Sequence, residues 1–135
     1  MSKFPDFFPD DFESMLPDYV EYIRKRAYRL TLYGVNNPDS YLPTIRSDEI
    51  AKIKRVHKPA ILDYYSTSCF STYEQIKQLK ATGFKKRPSA EIAVGTIEPE
   101  HGPTLTKETG HIDWWIYKDV HPETFFRKEA EDKDE

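Results

Sequence analysis

The stretch "YYSTSCFSTYEQIKQLKATG", residues 64–83, decides the fold class, because within it the chain passes from a strand-like run to a helical one. Its upstream end belongs to "PAILDYYS" (residues 59–66), a short apolar run that reads as a well-buried strand. Downstream, Ser71-Thr72-Tyr73-Glu74 fits the S-x-x-E capping box. In that motif the serine and glutamate side chains satisfy backbone N–H groups that the first helical turn leaves without partners. Gly83 supplies the left-handed stop of the helix so begun. Ser71 is thereby assigned to the cap, and Ser66-Thr67-Ser68 is left at the junction. Its hydroxyls are either the polar end of a strand serving the turn or part of a ligand pocket.

Outward from this stretch the periodicity alternates. "AYRLTLYGV" (residues 27–35) reads as a strand with Tyr28, Leu30 and Leu32 on one face and Arg29, Thr31 and Tyr33 on the other. "SAEIAVGTI" (89–97) reads as another, with Ile92 and Val94 sharing a face, and "GHIDWWIYK" (110–118) as a further one. In the last, Ile112, Trp114 and Ile116 point inward while His111, Asp113, Trp115 and Tyr117 face the other way. "NNPDS" (36–40) is a turn, and "SDEIAKIKRVHK" (47–58) a helix with Ser47 as N-cap, acids first and cations last, matching the helix dipole. "DDFESMLPDYVEYIRKR" (10–26) spaces Phe12, Leu16, Tyr19, Val20 and Ile23 helically, with Pro17 kinking or restarting the helix. "HPETFFRK" (121–128) is a helical turn or a packed edge. The order α-β-α-β-α-β-β predicts an α+β fold, with a small twisted, mostly antiparallel sheet and two to three helices.

The chain of 135 residues is the length of one domain. Residues 1–128 are assigned to it and 129–135, "EAEDKDE", to a charged C-terminal tail. Nine Tyr, eight Phe and two Trp predict an aromatic-rich core, into which the rings of "FPDFFPDDF" (4–12) dock. A net charge of −3 gives no general pull towards nucleic acid or membrane. The lone Cys69 excludes an intramolecular disulfide and multi-cysteine metal sites, which suits a reducing cytoplasm. The start lacks a basic region followed by an apolar run, and no apolar run reaches the ~20 residues of a membrane span. A cytoplasmic location is therefore expected.

The histidines His57, His101, His111 and His121 form no H-x-H or H-x-x-x-H pair, so no metal site is expected. Cys69, between aromatic neighbours, reads as a buried thiol rather than a nucleophile. The basic runs "KIKRVHK" and "GFKKRP" sit at helix ends, where cations are favoured in any case, and nucleic-acid binding is not expected. His111, Asp113, Trp115 and Tyr117 on one strand face form a candidate binding platform.

Two family resemblances bear on function. "GHIDWWIYKDVHPETFF", with "YYSTSCFSTYEQIK", resembles short bacterial proteins of unknown function that carry a Gly-His-x-x-Trp-Trp-x-Tyr-Lys strand and occur among mobile elements. That resemblance covers the C-terminal half and implies a family without an activity. An Arg on the first strand, Ser-Thr-Ser after a middle strand and a later Glu-x-Glu resembles the layout of mono-ADP-ribosyltransferases. The matching positions are Arg29, Ser66-Thr67-Ser68, and Glu98 with Glu100; Ser66 and Ser68 are the serine candidates. The resemblance implies NAD as cofactor, with Arg29 on its phosphates, serine shaping the pocket and the final glutamate stabilising an oxocarbenium-like transition state. Pro99 between the glutamates departs from that family, and Asp113 is an alternative acid. A binding or interaction module for a small molecule or protein is expected, without a cofactor; the alternative is a compact NAD-using transferase.

Overall fold

Proline stops the first helix after one turn. Helix α1 (Phe12–Met15) is followed by Leu16 in extended conformation, at φ −71° and ψ 140°, because the ring of Pro17 disfavours the α region for the residue before it. The longer helix expected through Ile23 does not form. Tyr19 and Ile23 are exposed, and the chain runs irregularly into β1 (Lys25–Thr31). This computed structural model describes residues 3–46, 61–83 and 90–129. The helix expected over 47–58, the "GFKKRP" run beyond Gly83 and the tail from residue 130 lie outside them.

After β1, a 3-10 turn (Pro38–Tyr41) opens where the Asn37 side chain accepts from the Asp39 N–H at 2.9 Å. The run "PAILDYYS" is a short helix, α2 (Ile61–Tyr65), rather than a strand, and β2 (Thr67–Phe70) begins beyond it. Leu62 and Tyr65, one helical turn apart, both pack into an aromatic cluster with Trp115, so the apolar run follows the helical period. Helix α3 (Tyr73–Gly83) begins one residue later than the capping box implies. Thr72, not Ser71, accepts from the Gln75 N–H at 3.3 Å. Ser71 instead continues the strand, its N–H and hydroxyl donating to Gly110 O at 2.9 and 2.7 Å. The remaining strands are β3 (Glu91–Ile97), β4 (Thr104–Thr106), β5 (His111–Trp114) and the two-residue β6 (Arg127–Lys128). Beyond β6, Glu129 still donates to Ile92 O at 2.8 Å.

The strands form one sheet in the order β4-β5-β2-β1-β3-β6, with every pairing antiparallel. The fold is α+β. β1 pairs with β3 from Lys25↔Ile97 to Thr31↔Glu91, but meets β2 only at Tyr28↔Phe70. A single bridge between Glu21 and Thr104 ties edge strand β4 back to the chain before β1. The sheet therefore curls without closing. Lys25 reaches across the inside of the curl to Thr106 Oγ1 at 2.7 Å.

Strand alternation distributes the core. Inside the curl, Ala27, Cys69, Ala93, Ile112 and Trp114 pack with Tyr41 and Phe126. On the outer face, α3 sets Ile76 and Leu79 over Leu30, Ile92 and Phe70. Beside it the N-terminal segment stacks Phe4, Phe8 and Phe12 onto Trp115. Phe4 and Phe8 lie parallel at 5.2 Å and Phe8 meets Phe12 edge-on at 4.8 Å; such pairs contribute about 0.5–1.5 kcal/mol each beyond their buried area. Trp114 and Trp115 do face opposite sides, as alternation requires. A binding platform would need Trp115 open to solvent, but Trp114 and Trp115 are 0% and 1% exposed, because both sides of the strand are covered.

Gly95 seats Phe126. A Cβ at Gly95 would lie 2.5 Å from the Phe126 ring, so Gly95→Ala is expected to cost about 1–3 kcal/mol by overpacking. Urea unfolding of Gly95→Ala, with and without Phe126→Leu, checks this. The alanine should cost distinctly less in the leucine background, and equal costs in the two backgrounds would contradict the contact.

Candidate functional site

Three proline-containing segments converge on a cleft of about 280 Å³. One wall is the N-terminal segment, with Phe7 and Phe8 backed by Tyr65 of α2. The second is the 3-10 turn and its exit, with Tyr41, Leu42 and Pro43. The third is the chain after β5, with Ile116, Tyr117, Val120 and Pro122. Each wall has a local cause. Trp115 N–H and Tyr117 N–H donate to Pro103 O and His101 O at 3.0 and 3.2 Å, extending the β4–β5 pairing irregularly. Gly102, at φ 123°, permits this approach, since a Cβ there would overlap Trp115 O. Lys118 N–H donates to Lys3 O at 2.8 Å, fastening the N-terminal segment to the third wall. Asp119 then turns the chain at φ 70°, a left-handed conformation that aspartate tolerates better than most residues.

Two polar side chains inside the cleft are committed to the backbone. Thr67 Oγ1 donates to Tyr41 O at 3.0 Å and Tyr41 Oη to Val35 O at 2.7 Å. Burial raises the Tyr41 phenol well above the usual tyrosine range, with nearby Arg29 pulling weakly the other way. Burial also raises the Tyr117 phenol, with Tyr22 and Glu13 adding to it. Both rings stay neutral in ordinary buffers, Tyr41 with its O–H engaged by Val35 O. Lys118, Asp119, His121 and Glu123 stand on the rim, where His121 Nδ1 lies 3.7 Å from Glu123 Oε2. An apolar floor under a polar rim is suited to holding a molecule.

The residues singled out from the sequence are distributed differently. Arg29 is 7% exposed, and its Nε and Nη1 donate to Ser40 O and Ser68 O at 2.8 and 2.6 Å. Glu98 pairs with Arg24 at 3.2 Å, and its N–H donates to His101 Nδ1 at 2.9 Å within the Pro99–His101 turn. Glu100 is exposed and borders a separate shallow depression with Tyr22 and Tyr117, which includes neither Arg29 nor Ser66. The arginine, serine and glutamate are thus not gathered in one cleft.

Asp113, His111 and Ser66 do come together. Asp113 Oδ1 lies 3.4 Å from Ser66 Oγ and 3.5 Å from His111 Nδ1, and its Oδ2 lies 3.3 Å from Lys107 Nζ. The carboxylate is in the middle, so histidine and serine each meet the aspartate. A nucleophilic triad needs the histidine on the hydroxyl. Here the cluster ties α2's exit to the β4–β5 hairpin. Of the expected binding platform, Trp115 is covered by phenylalanines and donates its indole N–H to Leu62 O at 3.0 Å. Only Tyr117 reaches the cleft. Apart from Thr67 of the Ser-Thr-Ser run and His121, the other cleft residues were not singled out from the sequence. Their one local sign is that rings and prolines alternate in "FPDFFP", "PDSYLP" and "IYKDVHP". Among the described residues, no group of three or more His, Cys, Asp or Glu side chains is placed to hold a metal ion, and no helix is long and apolar enough to cross a membrane.

Cys69 is buried inside the curl. Burial pushes its thiol from 9.0 up to about 12, Arg29 lowering and Asp113 raising it to smaller degrees. A group that holds its proton more tightly when folded contributes stability present below its unfolded pKa and lost as pH rises through the folded one. The urea midpoint is therefore expected to fall between pH 9 and about 12, and to fall less steeply in Cys69→Ala. Identical pH slopes for the two proteins would contradict the thiol's assigned environment. Comparison of the chain with protein-family models, curated proteins and solved structures found no match.

Proposed function

We propose that the protein is a small cytoplasmic binding module that takes a compact, largely apolar molecule into the cleft between its N-terminal segment, the Pro38–Tyr41 turn and the chain after β5. The observation that carries this is the cleft itself: ring and proline walls from three separated segments, with charged groups only at the rim. At about 280 Å³ it lies just below the ~300–1,000 Å³ of pockets for drug-sized ligands, which suits one or two fused rings. The left-handed Asp119 on its border adds support, because strained backbone concentrates at ligand sites. The lone, buried Cys69 fits a reducing compartment. A transferase using NAD has less support, since the Arg29 donors nearest to Ser68 are engaged with backbone carbonyls.

Indole provides a direct probe. Titrated into isotope-labelled protein, it should shift the amide resonances of Phe7, Leu42, Tyr65 and Val120 together. Its Kd should be on the order of millimolar, as befits so small a ligand. Val120→Trp, which fills the cleft, should abolish these shifts while leaving the rest of the spectrum in place. Shifts scattered over the surface, or equal in Val120→Trp, would overturn the proposal.

A further inference from the structure

The charges around the mouth of the aromatic cleft are not equivalent. Lys118, Asp119 and His121 border it and are exposed, so water and salt screen them. Glu123 also borders it, on the Pro122–Thr124 turn, but its side chain is only 19% exposed. No N–H or O–H group among the described residues donates to this carboxylate. Its one described ion-pair partner, His121 Nδ1, lies 3.7 Å away, and that side chain is itself 64% exposed. Such a separation is beyond hydrogen-bond range. Lys118 makes no ion pair with it among the described residues. The nearby Tyr41 hydroxyl is committed to Val35 O at 2.7 Å. The Glu123 charge still reaches that phenol: burial raises it most, and Glu123 is among the groups that add to the rise. The cleft thus has one partly desolvated negative charge at its lip, without hydrogen-bond donors of its own.

We propose that the cleft selects protonated amines: its ligand is an aryl-alkyl ammonium, with the ring on the apolar floor and the –NH3+ group held by Glu123. This inference rests on the reading of the cleft as a ligand site, and it names the chemical class. Phe7, Phe8, Tyr41 and Tyr65 supply faces for a flat ring. An ammonium brings both things that the carboxylate lacks, N–H donors and a positive charge. Aromatic faces beside a carboxylate favour a cation further. A ligand carboxylate in the same place would meet a like charge with little water between them. Size limits the ring to one or two fused cycles, since about 280 Å³ leaves no room for a larger body. The amine then emerges at the lip, where Glu123 stands.

Three probes that share one ring test this: indole, tryptamine and indole-3-propionate, each titrated into the isotope-labelled intact protein. Tryptamine should shift the cleft amides with a Kd about tenfold or more below that of indole, the worth of one hydrogen bond to a charged group. Indole-3-propionate should bind more weakly than indole. In Glu123→Gln, whose amide spectrum away from the cleft reports that it folds, the ratio of the indole and tryptamine Kd values should fall to about threefold or less. Tryptamine no tighter than indole, with indole still shifting the cleft amides, overturns the amine proposal and leaves the cleft standing as a site. A tryptamine preference that survives in Glu123→Gln, or that is lost in Asp119→Asn instead, overturns it as well. If none of the three probes shifts the cleft amides, the binding role of the cleft falls, and the amine proposal falls with it.

Discussion

The guanidinium of Arg29 stands where the sheet's own hydrogen bonding fails. β1 is fully laddered to β3 on one side, yet on the other it touches β2 at a single residue pair, Tyr28↔Phe70. Past that pair the strands part, and the segment after the Pro38–Tyr41 turn comes alongside the start of β2, with Thr44 N–H donating to Ser66 O at 3.1 Å. Carbonyls left facing this gap would be buried without partners, at about 1–3 kcal/mol each. Arg29 meets two of them, Ser40 O in the turn and Ser68 O on β2. One planar, multi-donor side chain thus replaces ladder rungs and fixes the turn that forms the second wall of the cleft. Lysine has no such fork and would reach fewer partners.

The candidate site depends on the same junction. Tyr41 and Thr67, both in the cleft lining, are bonded to each other's neighbourhood through Thr67 Oγ1 to Tyr41 O. Ser40, within the turn and bonded to Arg29 through its carbonyl, also donates its hydroxyl to Gly34 O at 2.7 Å. The phenylalanine-rich N-terminal segment then closes the opposite wall by stacking on Trp115, which anchors to α2 through its indole N–H. A ligand in the cleft would touch all three segments and none of the residues that bind Arg29's guanidinium directly. Structural and binding roles are therefore carried by adjacent but different side chains.

How much of this was legible in the sequence depended on how local the deciding interaction was. Alternation placed Arg29 and Thr31 opposite Leu30, and Trp114 opposite Trp115, because period two follows from strand geometry alone. It could not say that both faces are covered, since the cover over Trp115 comes from distant segments, the N-terminal phenylalanines and α2. The helix cap was misplaced by one residue for a similar reason. Ser71 and Thr72 are equivalent as caps, and what removes Ser71 is a distant carbonyl, Gly110 O. In "AILDYY" the apolar run was too short for periodicity to separate helix from strand. The candidate site was least legible: proline and aromatic residues marked each wall separately, but nothing local announced that the walls meet. Arg29 was noticed for its chemistry, and its position gives it backbone carbonyls first.

The most direct test of this account is the unfolding free energy of Arg29→Leu, measured in urea beside wild type and Arg29→Lys. Leucine keeps the inner apolar part of the side chain and removes both charge-assisted hydrogen bonds, each typically worth ~1.5–3 kcal/mol. The account predicts that Arg29→Leu loses about 3 kcal/mol or more, and that Arg29→Lys recovers only part of the loss. A leucine variant as stable as wild type would contradict it.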